Sequence, residues 1–186
     1  EFEAAVAGGI PIVRTIKEGL ATNKITKVYG ILNGTCNYIL SQMEKTKDSF
    51  KNVLKNAQKL GYAEPGNPKL DLNGYDALAK VKILSALAFN CKISKSQSLM
   101  EGIEKIEASD FDIVEKLNLR IKLLGITEII NNKIFERVHP CLVSRDSYIG
   151  NVSDVMNAVI LEGKPVGESV MQGEGAGPGP TTSALM

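Results

Sequence analysis

Two charged residues four positions apart in an otherwise apolar run are the first candidates for chemistry. Asp76 and Lys80 lie in YDALAKVKILSALAF, where Ala77, Leu78, Ala79, Val81, Ile83, Leu84, Ala86, Leu87, Ala88 and Phe89 leave little polar surface. At i and i+4 of a helix they share a face one turn apart. Charges in such a setting are costly unless paired. A neighbouring carboxylate favours the charged ammonium while desolvation opposes it, which describes a lysine held in place and able to give a proton. Lys82 competes for this role but lies two residues on, off the Asp76 face. An ordinary salt bridge at a helix rim fits the same spacing.

Two more acids precede this run. Glu64 and Asp71 sit in GYAEPGNPKLDLN, a segment that also carries Tyr62. A following helix N-terminus would draw them towards Asp76, and acids gathered around a lysine suit a ligand bearing an ammonium group. A solvated loop is the plain alternative, and spacing alone favours it. Asn33-Gly34-Thr35 reads as a strand-to-helix junction, where backbone N–H groups and a hydroxyl can bind an anion or carboxylate. Plain N-capping by Thr35 accounts for it locally. Near the C-terminus, GEGAGPGPTTS forms a glycine nest ahead of a helix, an anion-binding geometry in general. It is no P-loop, because no lysine precedes Thr181, and Pro178 stands where a dinucleotide fingerprint has its third glycine. A flexible turn explains it equally.

Other chemistries lack support. His139 is the single histidine, placed before Pro140 with no cysteine or carboxylate at useful spacing, and Cys36, Cys91 and Cys141 form no CxxC. A zinc site is therefore disfavoured, and no GxSxG elbow supports a serine triad. The 186 residues carry a net charge of +1, with 44% hydrophobic and 23% charged residues. That suits a globular protein and leaves no basic field for nucleic acid or an acidic membrane. The longest apolar stretch, around Ile83 to Phe89, is too short to span a bilayer. An odd number of widely spaced cysteines points to a reduced, cytoplasmic setting. The chain opens on Glu1 without methionine, as a piece of a longer protein would.

The elements that must position these residues follow from periodicity. Residues 1–10 read as a strand end entering a tight turn, and 11–22 as an amphipathic helix with Pro11 first. A strand is expected over 26–32, then a helix from Thr35 to about Met43. The next helix is capped by Ser49, packs through Phe50, Val53, Leu54 and Ala57, and stops at Gly61. Residues 61–73 read as a loop. The helix from about Gly74 to Phe89 is apolar nearly all round, as a buried helix is. A further helix is expected over 109–119. Strands over 120–130 and 133–143 join at Asn131-Asn132, a hairpin signal. A second pair, 157–161 and 165–170, is expected across Gly163, and a last helix from Pro180 or Thr181. Helices first and strands later argue for an α+β fold: a mixed or antiparallel sheet with helices packed mainly on one face, the other face available for dimerisation.

Taken together, EAAVAGGIP, VYGILNGTCNYIL, AQKLGYAEPGNPKLDLNGYDALAKVKIL and GEGAGPGPTTSA occur here in an order that resembles the homoserine dehydrogenases, as do RIKLLGI and NAV. The resemblance covers essentially the whole chain. It implies the substrate-binding domain of an enzyme that interconverts L-homoserine and L-aspartate 4-semialdehyde with NAD(P), serving threonine, methionine and isoleucine synthesis. It makes Lys80 the catalytic proton donor and Asp76, Glu64, Asp71, Tyr62, Gly34 and Thr35 the substrate site. It places the cofactor against Gly173, Gly175 and Gly177, and a sodium ion at Glu3, Val6, Gly8 and Ile10. It also implies a homodimer formed through this domain. Residues 1–10 are then a hinge from a nucleotide-binding domain, 11–170 the substrate and dimerisation domain, and 171–186 the turn and helix that lead back. The nucleotide-binding domain, with its fingerprint and a second catalytic lysine, is not within these residues. A non-enzymatic binding or dimerisation module that kept the scaffold is the alternative.

Overall fold

The computed structural model describes residues 2–66, 68–95 and 97–186. Glu1 in the expected hinge, Asn67 in the expected loop and Ser96 lie outside them. The chain enters through a 3₁₀ turn at Glu3–Ala5, where the sequence predicts a strand end. Helix α1 (Ile12–Arg14) continues as a π turn over Thr15–Gly19, with Pro11 as its cap rather than its first residue. Strand β1 (Lys24–Ile31) leads to α2 (Gly34–Thr46) and α3 (Phe50–Lys59). The expected loop contains a short helix, α4 (Lys69–Leu72), which delivers the chain into α5 (Tyr75–Ala88). Then come β2 (Leu99–Met100), α6 (Ala108–Lys116), β3 (Leu119–Ile130) and β4 (Lys133–Ser144). The chain closes with α7 (Tyr148–Asn151), β5 (Met156–Lys164), β6 (Gly167–Glu174) and α8 (Pro178–Leu185).

Local chemistry explains the main boundaries. The β3–β4 hairpin turns on Asn131 and Asn132, with φ of 49° and 60°, the left-handed pair that a two-residue turn between twisted strands requires. Ser49 accepts the Asn52 N–H and starts α3 as expected. Helix α6 opens on a capping box between Glu107 and Asp110. The cap of α2 is Asn33, not Thr35: its side chain accepts the Cys36 N–H. Both residue types cap well, but only Asn33 has the extended backbone of a cap. The β5–β6 hairpin is longer than expected, so Gly163 pairs with Gly167 inside it instead of forming the turn. Helix α8 starts at Pro178, two to three residues early, because proline is favoured in a first turn.

The sheet runs β2-β4-β3-β1-β5-β6. Every pairing is antiparallel except the short β2–β4 contact, so it is the mixed sheet expected. Ile121 and Leu123 of β3 join the main core with α2, α3, α5 and α6, whereas Leu124 and Ile126 face the other way. There they meet Ile31, Ala158 and Ile160, and Ile149 and Val152 from around α7 cover part of that face. Helix α5 is less enclosed than its composition suggests. Only Ala77, Val81, Leu84 and Ser85 are fully buried, a stripe at i, i+4, i+7 and i+8 that lays it along the sheet.

Gly125 of β3 lets α5 come close. A Cβ there would stand 2.5 Å from Val81 Cγ2 and 2.9 Å from Leu32 Cδ1. Gly125→Val is therefore expected to destabilise the fold by about 1–3 kcal/mol through overpacking. The urea midpoint checks this; an unchanged midpoint contradicts it.

Candidate active site

The site is assembled at the end of β1. Leu32 O, the last backbone carbonyl before the turn into α2, accepts from Lys80 Nζ at 3.0 Å. The same ammonium donates to Asp76 Oδ2 at 2.7 Å. The Lys80 and Asp76 side chains keep 20% and 33% of their surface, so the pair is neither sealed nor waving in bulk water. Asn33 adds the next connection. Its Nδ2 donates to Asp76 Oδ2 at 3.0 Å and to Asp71 Oδ1 at 2.8 Å, while its Oδ1 caps α2. Cys36 Sγ donates to Asp71 O at 3.3 Å, docking α4 on the first turn of α2. Burial, and then the charges of Asp71 and Asp76, push the Cys36 thiol well up, so it is an inert neighbour and no nucleophile.

A cleft of about 360 Å³ opens on this cluster, lined by Glu64, Pro68, Leu70, Asp71, Tyr75, Asp76 and Ala79. Lys80 is not in that lining; it stands against the strand end, joined to the cleft through Asp76. Glu64 reaches the same cleft, and its backbone carbonyl accepts from Gln58 Nε2 at 3.0 Å. Larger clefts of about 540 and 580 Å³ run along the β2 edge, and the second takes in Lys82. Neither holds Lys80 or its carboxylates, so size and chemistry disagree here, and the convergent charges decide.

The remaining expected residues divide. Thr35 Oγ1 donates to Tyr62 O at 2.7 Å, and the Tyr62 ring packs against Tyr38 with centroids 4.7 Å apart; both sit beside the cluster without bonding to it. A Cβ on Gly34 would lie 2.7 Å from Val155 O, so tight packing accounts for that glycine. Packing also accounts for Gly175, whose would-be Cβ would collide with Asn157, and Gly173 lies inside β6 with Ile10 3.1 Å from its would-be Cβ. Gly177 differs: its φ of 113° needs glycine, and only Pro180 Cδ comes near, at 3.6 Å.

The first ten residues and the glycine turn lie side by side. Gly9 N donates to Glu174 O at 3.0 Å, and a Cβ on Gly8 would collide with Gly175 O. Glu3 does not serve a cation through its carboxylate. Its two oxygens accept from Val13 N and Arg14 N at 2.8 and 2.9 Å, capping α1. Val6, Gly8 and Ile10 could offer only backbone carbonyls, and Ile10 O already accepts from Ile12 N at 2.7 Å. No cluster of acidic, histidine or cysteine side chains among the described residues could hold a metal ion. With the Glu3 carboxylate engaged at α1, a cation at these residues would be held by backbone carbonyls.

Sequence reasoning missed Asn33 as the link between the two aspartates. Its position before Gly34 signalled a cap, and the two N–H groups that a capping asparagine keeps free were the remaining clue. It also missed Lys122, 1% exposed, whose ammonium donates to Val152 O at 2.6 Å and Asn37 Oδ1 at 3.2 Å.

These residues build an α+β domain with a lysine–aspartate pair beside a cleft of carboxylates. Residues 11–186 match the family model described as homoserine dehydrogenase, and the chain belongs to the homoserine dehydrogenase family. It is 48% identical over 186 residues to the homoserine dehydrogenase of Neisseria gonorrhoeae, covering 100% of this chain and 42% of that protein. It is 48% identical over 185 residues to that of Helicobacter pylori, covering 100% of this chain and 44% of the relative. The crystal structure of a homoserine dehydrogenase from Thiobacillus denitrificans superposes with a TM-score of 0.96 at 47% identity, over 100% of this chain and 43% of that one. A hyperthermophilic archaeal homoserine dehydrogenase mutant in complex with NADPH superposes with a TM-score of 0.81 at 26% identity, over 98% and 52%. The chain thus spans less than half the length of the curated relatives it matches.

Proposed function

We propose that this chain is the substrate-handling part of a homoserine dehydrogenase, acting in the NAD(P)-dependent interconversion of L-homoserine and L-aspartate 4-semialdehyde. The observation that carries this reading is the Lys80–Asp76 pair, fixed to the end of β1 and opening on a cleft with two further carboxylates. Reducing an aldehyde builds negative charge on its oxygen, and a proton donor beside that oxygen lowers the barrier. Lys80 gives that proton and takes it back in the reverse direction. Asp76 aims the ammonium. Glu64, Asp71 and Asp76 receive the substrate ammonium, and the first turn of α2 at Gly34 and Thr35 receives its carboxylate. The module without chemistry is not favoured, because it gives no reason for a largely shielded charged pair at 2.7 Å, tied to a strand end beside two further carboxylates.

The glycine turn fits the nicotinamide end of the cofactor, since Gly177 leaves the start of α8 open. Gly173 and Gly175 shape the turn from beneath. The cofactor supplies the hydride exchange at the substrate carbon. The rest of the dinucleotide needs a phosphate-binding fingerprint that these residues do not carry. The isolated chain is therefore expected to bind NADP and NAD far more weakly than micromolar and to turn over little substrate. Calorimetric titration of either cofactor into the chain checks this, and micromolar affinity overturns it.

Three features complete the reading. The second face of the sheet forms a homodimer interface, supported by Phe135 and Val170, which remain 44% and 38% exposed there. A cytoplasmic setting suits the three unpaired cysteines. The product feeds threonine, methionine and isoleucine synthesis. No helix among the described residues is long and apolar enough to cross a membrane.

A further inference from the structure

We propose that Asn33 is the positioning residue of the substrate site: its carboxamide, by donating one N–H to Asp71 and the other to Asp76, holds the two carboxylates as a matched pair for an ammonium ligand. The role rests on the homoserine reading above and adds a residue to it. Asn33 is 6% exposed and every polar atom of its side chain is used. Its oxygen caps α2, and the two hydrogens of its single nitrogen go to two different acids 38 and 43 residues away in sequence.

The arrangement solves an electrostatic problem. Asp71 and Asp76 each place an oxygen within 3.0 Å of the same nitrogen. Two carboxylates this close repel one another, more strongly where water is scarce. An amide nitrogen between them supplies a donor to each without adding charge, and so holds the two side chains together. Asn33 also shares Asp76 Oδ2 with Lys80. That oxygen is fixed from two sides, which leaves Asp76 Oδ1 and Asp71 Oδ2 unengaged among the described residues, on two side chains that line the cleft. Aspartate at position 33 would cap α2 but has no donor. Serine would cap it too, but its hydroxyl stops short of both acids and offers a single hydrogen.

The cap and the donor functions can be separated. In the holoenzyme that carries this chain, Asn33→Ser keeps the melting temperature within a few degrees. It raises KM for homoserine by roughly tenfold or more, as lost hydrogen bonds to charged groups do, and leaves KM for the cofactor unchanged. An unmoved homoserine KM in a folded Asn33→Ser enzyme overturns the proposal. Should that variant not fold, the side-chain amide signals of Asn33 in a nitrogen-15 correlation spectrum of the unaltered chain decide. Asp71→Ala and Asp76→Ala are each expected to shift them, and signals indifferent to both changes overturn it. Shifted amide signals in a chain whose wild-type holoenzyme does not turn over homoserine would defeat the functional reading while supporting the pairing of the two acids.

Discussion

Replacing Lys80 by alanine in the holoenzyme is expected to lower kcat by about 100- to 1,000-fold, or about 2.7–4 kcal/mol, the loss seen when one donor to a developing oxyanion is removed. The expectation follows from where the ammonium is held. One of its hydrogens goes to Leu32 O and another to Asp76, and an ammonium has three. The third remains for a substrate oxygen. Alanine removes the proton and the positive charge together, and Lys82 does not replace them, since it belongs to a different cleft. Homoserine KM should move much less than kcat, because the interaction is made chiefly in the transition state. Steady-state rates in both directions check this. Turnover within about fivefold of wild type would take Lys80 out of the mechanism.

Raising the pH from about 8 is expected to strengthen the fold through Lys122. Burial draws its ammonium down from 10.5 to about 8, with Arg120 helping and Glu44 and Asp154 opposing. Between those values the unfolded chain holds a proton on this lysine that the folded chain has lost. Stability contributed by this group therefore rises with pH across the window, by about 1.4 kcal/mol per pH unit and roughly 3 kcal/mol in all. Below pH 8 both states are protonated, and the cost of the buried charge is fully felt. Cys36 acts in the opposite sense. Its thiol stays protonated when folded but ionises in the unfolded chain above its ordinary value of 9.0, so it removes stability as pH rises further. The Lys122 gain is thus clearest between about pH 8 and 9. Urea unfolding of the chain and of Lys122→Met at several pH values isolates it, because the difference between the two cancels Cys36. A difference that stays flat with pH would show that folded Lys122 keeps its proton across this window, and would overturn the expectation.

What could be read from the sequence was what local spacing controls. The Asp76–Lys80 pair needed only the pitch of a helix, and the β3–β4 hairpin needed only two asparagines between alternating strands. The elements that escaped are short and made by distant partners. Strand β2 is two residues long and exists through its pairing with Arg137 and Val138 of β4. Helix α4 is four residues long and is held on α2 by Cys36 and Asn33. For the same reason Asp71 read as a loop acid: what brings it to Asp76 is a side chain 38 residues earlier. The glycines told a mixed story. Gly175 is a glycine because Asn157 lies beneath it, a contact no spacing reveals. Glu3 is another such case: its carboxylate goes to the start of α1, ten residues on.

The anchoring of Lys80 and both aspartates to residues 32 and 33 divides the cleft mechanically. Its floor is tied to one strand terminus through four polar contacts, so thermal motion cannot shift the acid without dragging the sheet. The wall that carries Glu64 is tied instead to α3, where Gln58 Nε2 donates to the Glu64 carbonyl. The two sides of the cleft thus answer to different elements, one to the sheet and one to a helix.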